Sequence, residues 1–155
     1  MTPKRHFIVP DTQVRPGVPT AHIDWIAQAI VDYMPDTVVH IGDHFDMPSL
    51  SMHDGPGSMK MEGARYEDDV QAGNDAFDRL CAPMEAEQAR RVRRKIKQWN
   101  PRKLFLFGNH ENRIYRAVCN SPKWAGTIGE HHLKTRDWER HPYLSRVWQD
   151  GILYS

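Results

Sequence analysis

Thr37-Val38-Val39-His40-Ile41-Gly42-Asp43-His44-Phe45-Asp46 sets the architecture of this chain. Its first five residues are β-branched or apolar apart from one histidine, a nearly continuous run that suits a strand buried on both faces. Gly42 then lets the backbone turn sharply, and a cluster of acids and a histidine follows at once. The same arrangement recurs on either side. His6-Phe7-Ile8-Val9 leads into Asp11-Thr12-Gln13, and Lys103-Leu104-Phe105-Leu106-Phe107 leads into Gly108-Asn109-His110-Glu111.

Helical patterns lie between these runs. From Thr20, a predicted N-cap, the positions Ile23, Ile26, Ala27, Ile30, Val31 and Met34 step by three and four, and Pro35-Asp36 ends the pattern. Residues 47–63 hold four Met, three Gly and two Pro without steady periodicity and read as an inserted loop. Two helices are predicted next, Tyr66 to Leu80 and Pro83 to Trp99, with Pro83 in a first-turn position. A short helix is expected near Asn112–Val118, and Gly151–Ser155 reads as a final strand. Alternation of this kind predicts an α/β fold with a largely parallel sheet flanked by helices. In such sheets ligands bind just beyond the carboxyl ends of the strands.

Composition narrows the class. The 155 residues make about one domain's worth of chain. Lys plus Arg number 21 against 20 Asp plus Glu, so the net charge of +1 supplies no global field for nucleic acid or an acidic membrane. Two cysteines, Cys81 and Cys119, cannot form a disulfide framework, and a reduced cytoplasmic setting is expected. The longest apolar run near the N-terminus is Phe7-Ile8-Val9, too short for a signal peptide core or a membrane span. Membrane, disulfide-knot and fibrous classes are excluded.

Three strands that each deliver an acid or an amide to one sheet edge point to a divalent metal site. Asp11 and Asp43 offer carboxylates, and Gln13 and Asn109 offer amide oxygens. Such a set suits Mg²⁺ or Mn²⁺, and added imidazole shifts the preference toward Mn, Fe or Zn. The three segments resemble the D-x-H, G-D-x-x-D and G-N-H-[DE] motifs of the calcineurin-like metallophosphoesterases, particularly those of phage and prokaryotic genomes. They span Asp11 to Glu111, about two thirds of the chain, with Gln13 in the histidine slot of the first.

The resemblance implies an incomplete α/β sandwich and a metal-dependent phosphoric ester hydrolase with two divalent ions, Mn²⁺ foremost and Mg²⁺, Fe²⁺ or Zn²⁺ as alternatives. It implies that Asp43 bridges the ions, Asp11 and Gln13 hold the first, and Asn109 the second. His110 then contacts phosphate or protonates the leaving oxygen, and Asp46 orients its imidazole. Arg113 and His44 are the substrate-binding candidates, and the substrate is a phosphomonoester or phosphodiester, nucleic acid included.

The family's two later histidine motifs have no counterpart among His131, His132 and His141. The chain therefore reads as a single domain corresponding to the N-terminal part of a longer phosphoesterase. A catalytically incomplete remnant, serving as a binding or regulatory module and completed by another chain, is the rival expectation. His53 in the inserted loop is a further substrate-facing candidate. The run Arg90–Lys97 holds six basic residues in eight, and Val92, Ile96 and Trp99 predict a buried stripe beneath a solvated face. That face is a candidate for phosphate-backbone contacts. Glu67-Asp68-Asp69 is expected to complement the helix dipole at an N-terminus.

Overall fold

The computed structural model describes residues 3–52, 59 and 62–155. Four strands form a parallel sheet in the order β1 (His6–Val9), β2 (Thr37–His40), β3 (Arg102–Leu106) and β4 (Glu139–His141). Val9, His40 and Phe105 stand in register across the first three strands, so their carboxyl ends are level. Helix α1 (Ala21–Tyr33) joins β1 to β2, α2 (Tyr66–Arg93) lies between β2 and β3, and α3 (Asn112–Asn120) follows β3. The fold is α/β, with a four-stranded parallel sheet flanked by helices, as the sequence predicts.

Alternation along the strands divides the core in two. Val9, Val38, Phe105 and Phe107 pack with Ile23, Ala27 and Ile30 of α1, Phe77, Leu80 and Met84 of α2, and Ile114 of α3. Val39, Leu104 and Leu106 point to the other face. There they form a small buried cluster with Val147 and Tyr154, from an antiparallel hairpin of β5 (Val147–Gln149) and β6 (Ile152–Tyr154). The final predicted strand thus forms, but it pairs in this hairpin rather than extending the sheet. Ile8 shares the hairpin face and remains 50% exposed.

Several local expectations are corrected. The two helices predicted across Pro83 are one helix of 28 residues. A proline in a helix interior removes one hydrogen bond and crowds the preceding turn, at about 3 kcal/mol. Phe77, Leu80, Cys81 and Met84 are buried on both sides of Pro83, and that burial holds the axis through it.

The helix also stops at Arg93 instead of Trp99. Lys95 turns left-handed (φ 54°), with Lys95 N–H donating to Val92 O (3.1 Å) and Ile96 N–H to Arg91 O (3.2 Å). This pair of bonds is a Schellman ending. The predicted stripe therefore breaks up: Val92 is 61% and Ile96 41% exposed, while Trp99 is buried with its indole N–H on Pro35 O (2.8 Å).

Thr20 occupies the N-cap position of α1 without capping it, because its hydroxyl accepts from Arg79 (2.7 Å). Of the inserted loop, Pro48–Leu50 forms one 3₁₀ turn, and its Ser49 N–H donates to the Asp69 carboxylate (2.9 Å). Asp69 is thus buried and anchors the loop rather than only facing the helix dipole. His53 lies outside the described residues. Both cysteines are free thiols; burial pushes Cys81 up to about 12. Among the described residues no helix is long and apolar enough to cross a membrane.

Candidate functional site

Each of the first three strands ends in a loop, and backbone bonds stitch the loops together. Gln13 N–H donates to Asp43 O (2.8 Å), Val14 N–H to His44 O (2.7 Å), and Asp46 N–H returns to Val14 O (3.0 Å). Val14 and Phe45 form a parallel bridge, so the β1 and β2 connections run side by side beyond the sheet. Gln13, Asp43 and Met47 all take left-handed φ, between 42° and 52°. Non-glycine residues rarely do so, and such positions cluster at functional sites. Gly42 (φ 101°) and Gly108 face each other so closely that a Cβ on Gly42 would collide with the Gly108 backbone, and one on Gly108 would collide with Asp43 Oδ1.

One buried acid holds this geometry. Glu111 Oε1 accepts from His44 N–H (2.8 Å) and Phe45 N–H (2.9 Å), and Oε2 from Asp43 N–H and Gly108 N–H (2.9 Å each). Burial pushes its carboxyl pKa up, and backbone N–H donors, Phe45 and Gly108 foremost, oppose that push. The sequence displays Glu111 as the last motif letter without revealing this function. The only signal is an acid at the helix start, beside loops rich in glycine whose N–H groups need acceptors.

Histidine supplies a second clamp. Gly42 N–H donates to His40 Nδ1 (3.2 Å), which leaves the proton of that ring on Nε2, 3.3 Å from Thr12 Oγ1. His44 Nε2–H donates to Gly73 O of α2 (3.0 Å), so its Nδ1 must accept from the Thr12 hydroxyl (2.7 Å). Every member has one bonding sense, and both rings are neutral. Burial drives the His40 pKa well below its ordinary value, and the His44 pKa down to about 4. The expectation that His44 binds substrate is corrected here. It is fully buried among Phe45, Phe77 and Phe105, and both its nitrogens are engaged.

The exposed part of the site lies on top of this frame. His110 Nδ1–H donates to Asp46 Oδ1 (2.6 Å), and its Nε2 stands 3.3 Å from an Arg113 Nη. Arg113 is tied by its other nitrogen to the backbone oxygens of Asp46 (2.6 Å) and Met47 (3.3 Å). Asp46 also meets Arg15 (3.5 Å), a neighbour the sequence reading missed, two residues beyond Gln13. Asp43 Oδ1 accepts from His110 N–H (2.8 Å). The structure thus brings Asp43, Asp46, His110 and Arg113 into one cluster.

Asp11, Gln13 and Asn109 are exposed in the loops at the same edge. Together with Asp43 they offer two carboxylates and two amide oxygens. Among the described residues no group of three or more His, Cys, Asp and Glu side chains is placed to hold a metal ion. The rings of His131 and His132 meet at a tilt beside Tyr66 of α2, whose hydroxyl lies 2.8 Å from His132 Nδ1, and not in this cluster.

Compared with protein-family models, with curated proteins and with solved structures, the chain has no match in any of the three.

Proposed function

We propose that the chain is a metal-dependent phosphoesterase domain of the calcineurin-like kind, acting on phosphomonoesters or phosphodiesters. The observation that carries this reading is the Asp46–His110–Arg113 cluster, set beside Asp43 and Asn109 at the carboxyl ends of adjacent parallel strands. It supports the motif resemblance with geometry that the motifs do not contain.

The donor set bears on the metal. Asp11, Gln13, Asp43 and Asn109 are hard oxygen ligands; among the described residues His44 is buried with both nitrogens engaged, and His110 gives its Nδ1 to Asp46 and turns its Nε2 toward Arg113. The oxygen ligands fit Mg²⁺ or Mn²⁺ better than Fe²⁺ or Zn²⁺. Their two negative charges match one divalent ion, fewer than the two the resemblance implies. When bound, such an ion supplies positive charge against the phosphoryl oxygens and makes water more acidic.

The chain's own groups do the rest. Asp46 fixes the His110 tautomer, and Arg113 lies where it can donate to a phosphoryl oxygen entering beside Nε2. His110 Nε2 is the atom placed to exchange a proton with water or the leaving oxygen. Glu111 and the histidine chain keep the three loops in place while this happens.

The rival reading, a binding or regulatory module that keeps the fold without turnover, is favoured by the short supply of acidic and histidine ligands among the described residues. Hydrolysis of bis-p-nitrophenyl phosphate and p-nitrophenyl phosphate with added Mn²⁺ separates the two. Metal-dependent turnover that disappears in Asp43→Ala is expected, with calorimetric Mn²⁺ titration saturating at one ion. Saturation without turnover would establish the module instead.

A further inference from the structure

A groove of about 220 Å³ runs along α3, away from the His110 cluster. Arg113 belongs to both groove and cluster, and Asn109 lines the groove at the same edge; Arg116, Asn120 and Trp124 carry the groove outward. Arg113, Arg116 and Asn120 fall on one helical face by their spacing of three and four. Helix α3 contains no acidic residue. Among the described residues Arg116 has no carboxylate partner and touches only the Met52 sulfur, 3.6 Å away. Trp124 is 42% exposed, and the Lys123 ammonium lies 5.4 Å from its ring centroid.

We propose that this groove binds a segment of single-stranded nucleic acid, which makes the substrate of the neighbouring site a nucleic-acid phosphodiester. The inference rests on the phosphoesterase reading for its substrate half, while the groove is a binding surface in its own right. A small phosphoester would reach Arg113 and leave Arg116, Asn120 and Trp124 unused. A polynucleotide uses all of them. Arg113, Arg116 and Lys123 meet successive phosphates, the Trp124 ring offers a platform for an unpaired base, and the Asn120 amide presents both a donor and an acceptor to a base edge. A base must be free of its partner to stack in this way, which selects a single strand over a duplex.

Three cations on a single strand give a slope of about −2 for log affinity against log salt, at about −0.7 per charge. Fluorescence anisotropy of a labelled oligothymidylate with the full chain, between 50 and 200 mM salt, reads this directly. Arg116→Ala should weaken binding about fivefold and flatten the slope by about 0.7. Trp124→Ala should weaken it about tenfold with the slope unchanged. Circular dichroism melts of both variants confirm that they fold.

Wild-type affinity in both variants would overturn the proposal, as would preference for a duplex of the same length. Loss of binding in Arg93→Glu/Arg94→Glu, with Arg116→Ala unaffected, would move the contact to the end of α2 and overturn it equally. Turnover of bis-p-nitrophenyl phosphate by the unaltered chain is measured alongside. Binding without turnover supports the groove and removes the hydrolase reading; turnover without binding overturns the groove alone.

Discussion

At the amino ends of the strands several charged residues are held in pairs. Asp36 accepts from Arg5 N–H (2.9 Å) and Lys4 (3.4 Å), and these partners, the Arg5 bond first, lower its carboxyl pKa. Glu87 takes both Arg90 and Arg91, and Arg91 also donates to Lys97 O (2.7 Å). At the carboxyl ends, roughly 10 Å away along the strands, most of the hydrogen-bonding capacity goes into backbone. Glu111 takes four N–H groups, the two histidines fix Thr12 and Gly73, and Asp11, Gln13 and Asn109 are left facing outward. Ion pairs at one end close the surface. Buried polar groups at the other hold strained loops open to solvent.

The difference also relocates a feature of the sequence. The basic run Arg90–Lys97, the obvious candidate for phosphate-backbone contacts, sits at the paired end, where Arg91, Lys97 and Trp99 pack against Met34 and Pro35. It cannot reach a substrate held at the carboxyl ends without spanning the sheet. The less conspicuous arginines of α3 are the ones beside the site.

Substitutions test this contrast most sharply where it is strongest. Glu111→Ala should cost about 3–5 kcal/mol in a urea titration, since four N–H groups lose a buried acceptor together. A loss below about 1 kcal/mol would mean that the loops hold themselves.

Acid should act next. The buried neutral histidines have pKa values below that of the unfolded chain, so the unfolded state binds protons first as pH falls. Stability is then complete above about pH 6.5 and is lost as pH drops toward about 4, the value for His44. His44 alone accounts for on the order of 3 kcal/mol across that window, and a flat stability profile between pH 7 and 4.5 would contradict the bonding assigned to the chain.

At the amino end Trp99→Phe, which keeps an aromatic ring in place but loses the bond to Pro35 O and part of the indole volume, should cost about 1–2 kcal/mol. Glu87→Gln should shift the melting temperature least of all, because its pairs with Arg90 and Arg91 lie within one helix, at i,i+3 and i,i+4, where such pairs contribute little.

The sequence made β1, β2, β3 and α1 legible because their burial follows simple periods. Strand β4 was invisible: Glu139-Arg140-His141 contains no apolar residue, and it joins the sheet by backbone pairing at the edge. Helix α2 was cut at Pro83 because a local breaker signal carries no knowledge of the tertiary packing that overrides it. At the site, the motif letters brought the right residues to one edge, including the Asp46–His110 contact. They could not show which side chains turn inward. His44 lies between two acids in sequence yet points into the core, a direction set by the Val14–Phe45 bridge rather than by its neighbours.

The run of hydrogen bonds from Gly42 through His40, Thr12 and His44 to Gly73 has a consequence for heredity. Each donor in it is fixed by the acceptor before it, so no single position can change its chemistry alone. Replacing Thr12 with valine strands two imidazoles at once, whereas the same valine beside a phenylalanine at position 44 strands only one. Substitutions at 12, 40 and 44 should therefore be strongly non-additive in a double-mutant cycle. Lineages of this fold would then exchange the three as a set, or keep all of them.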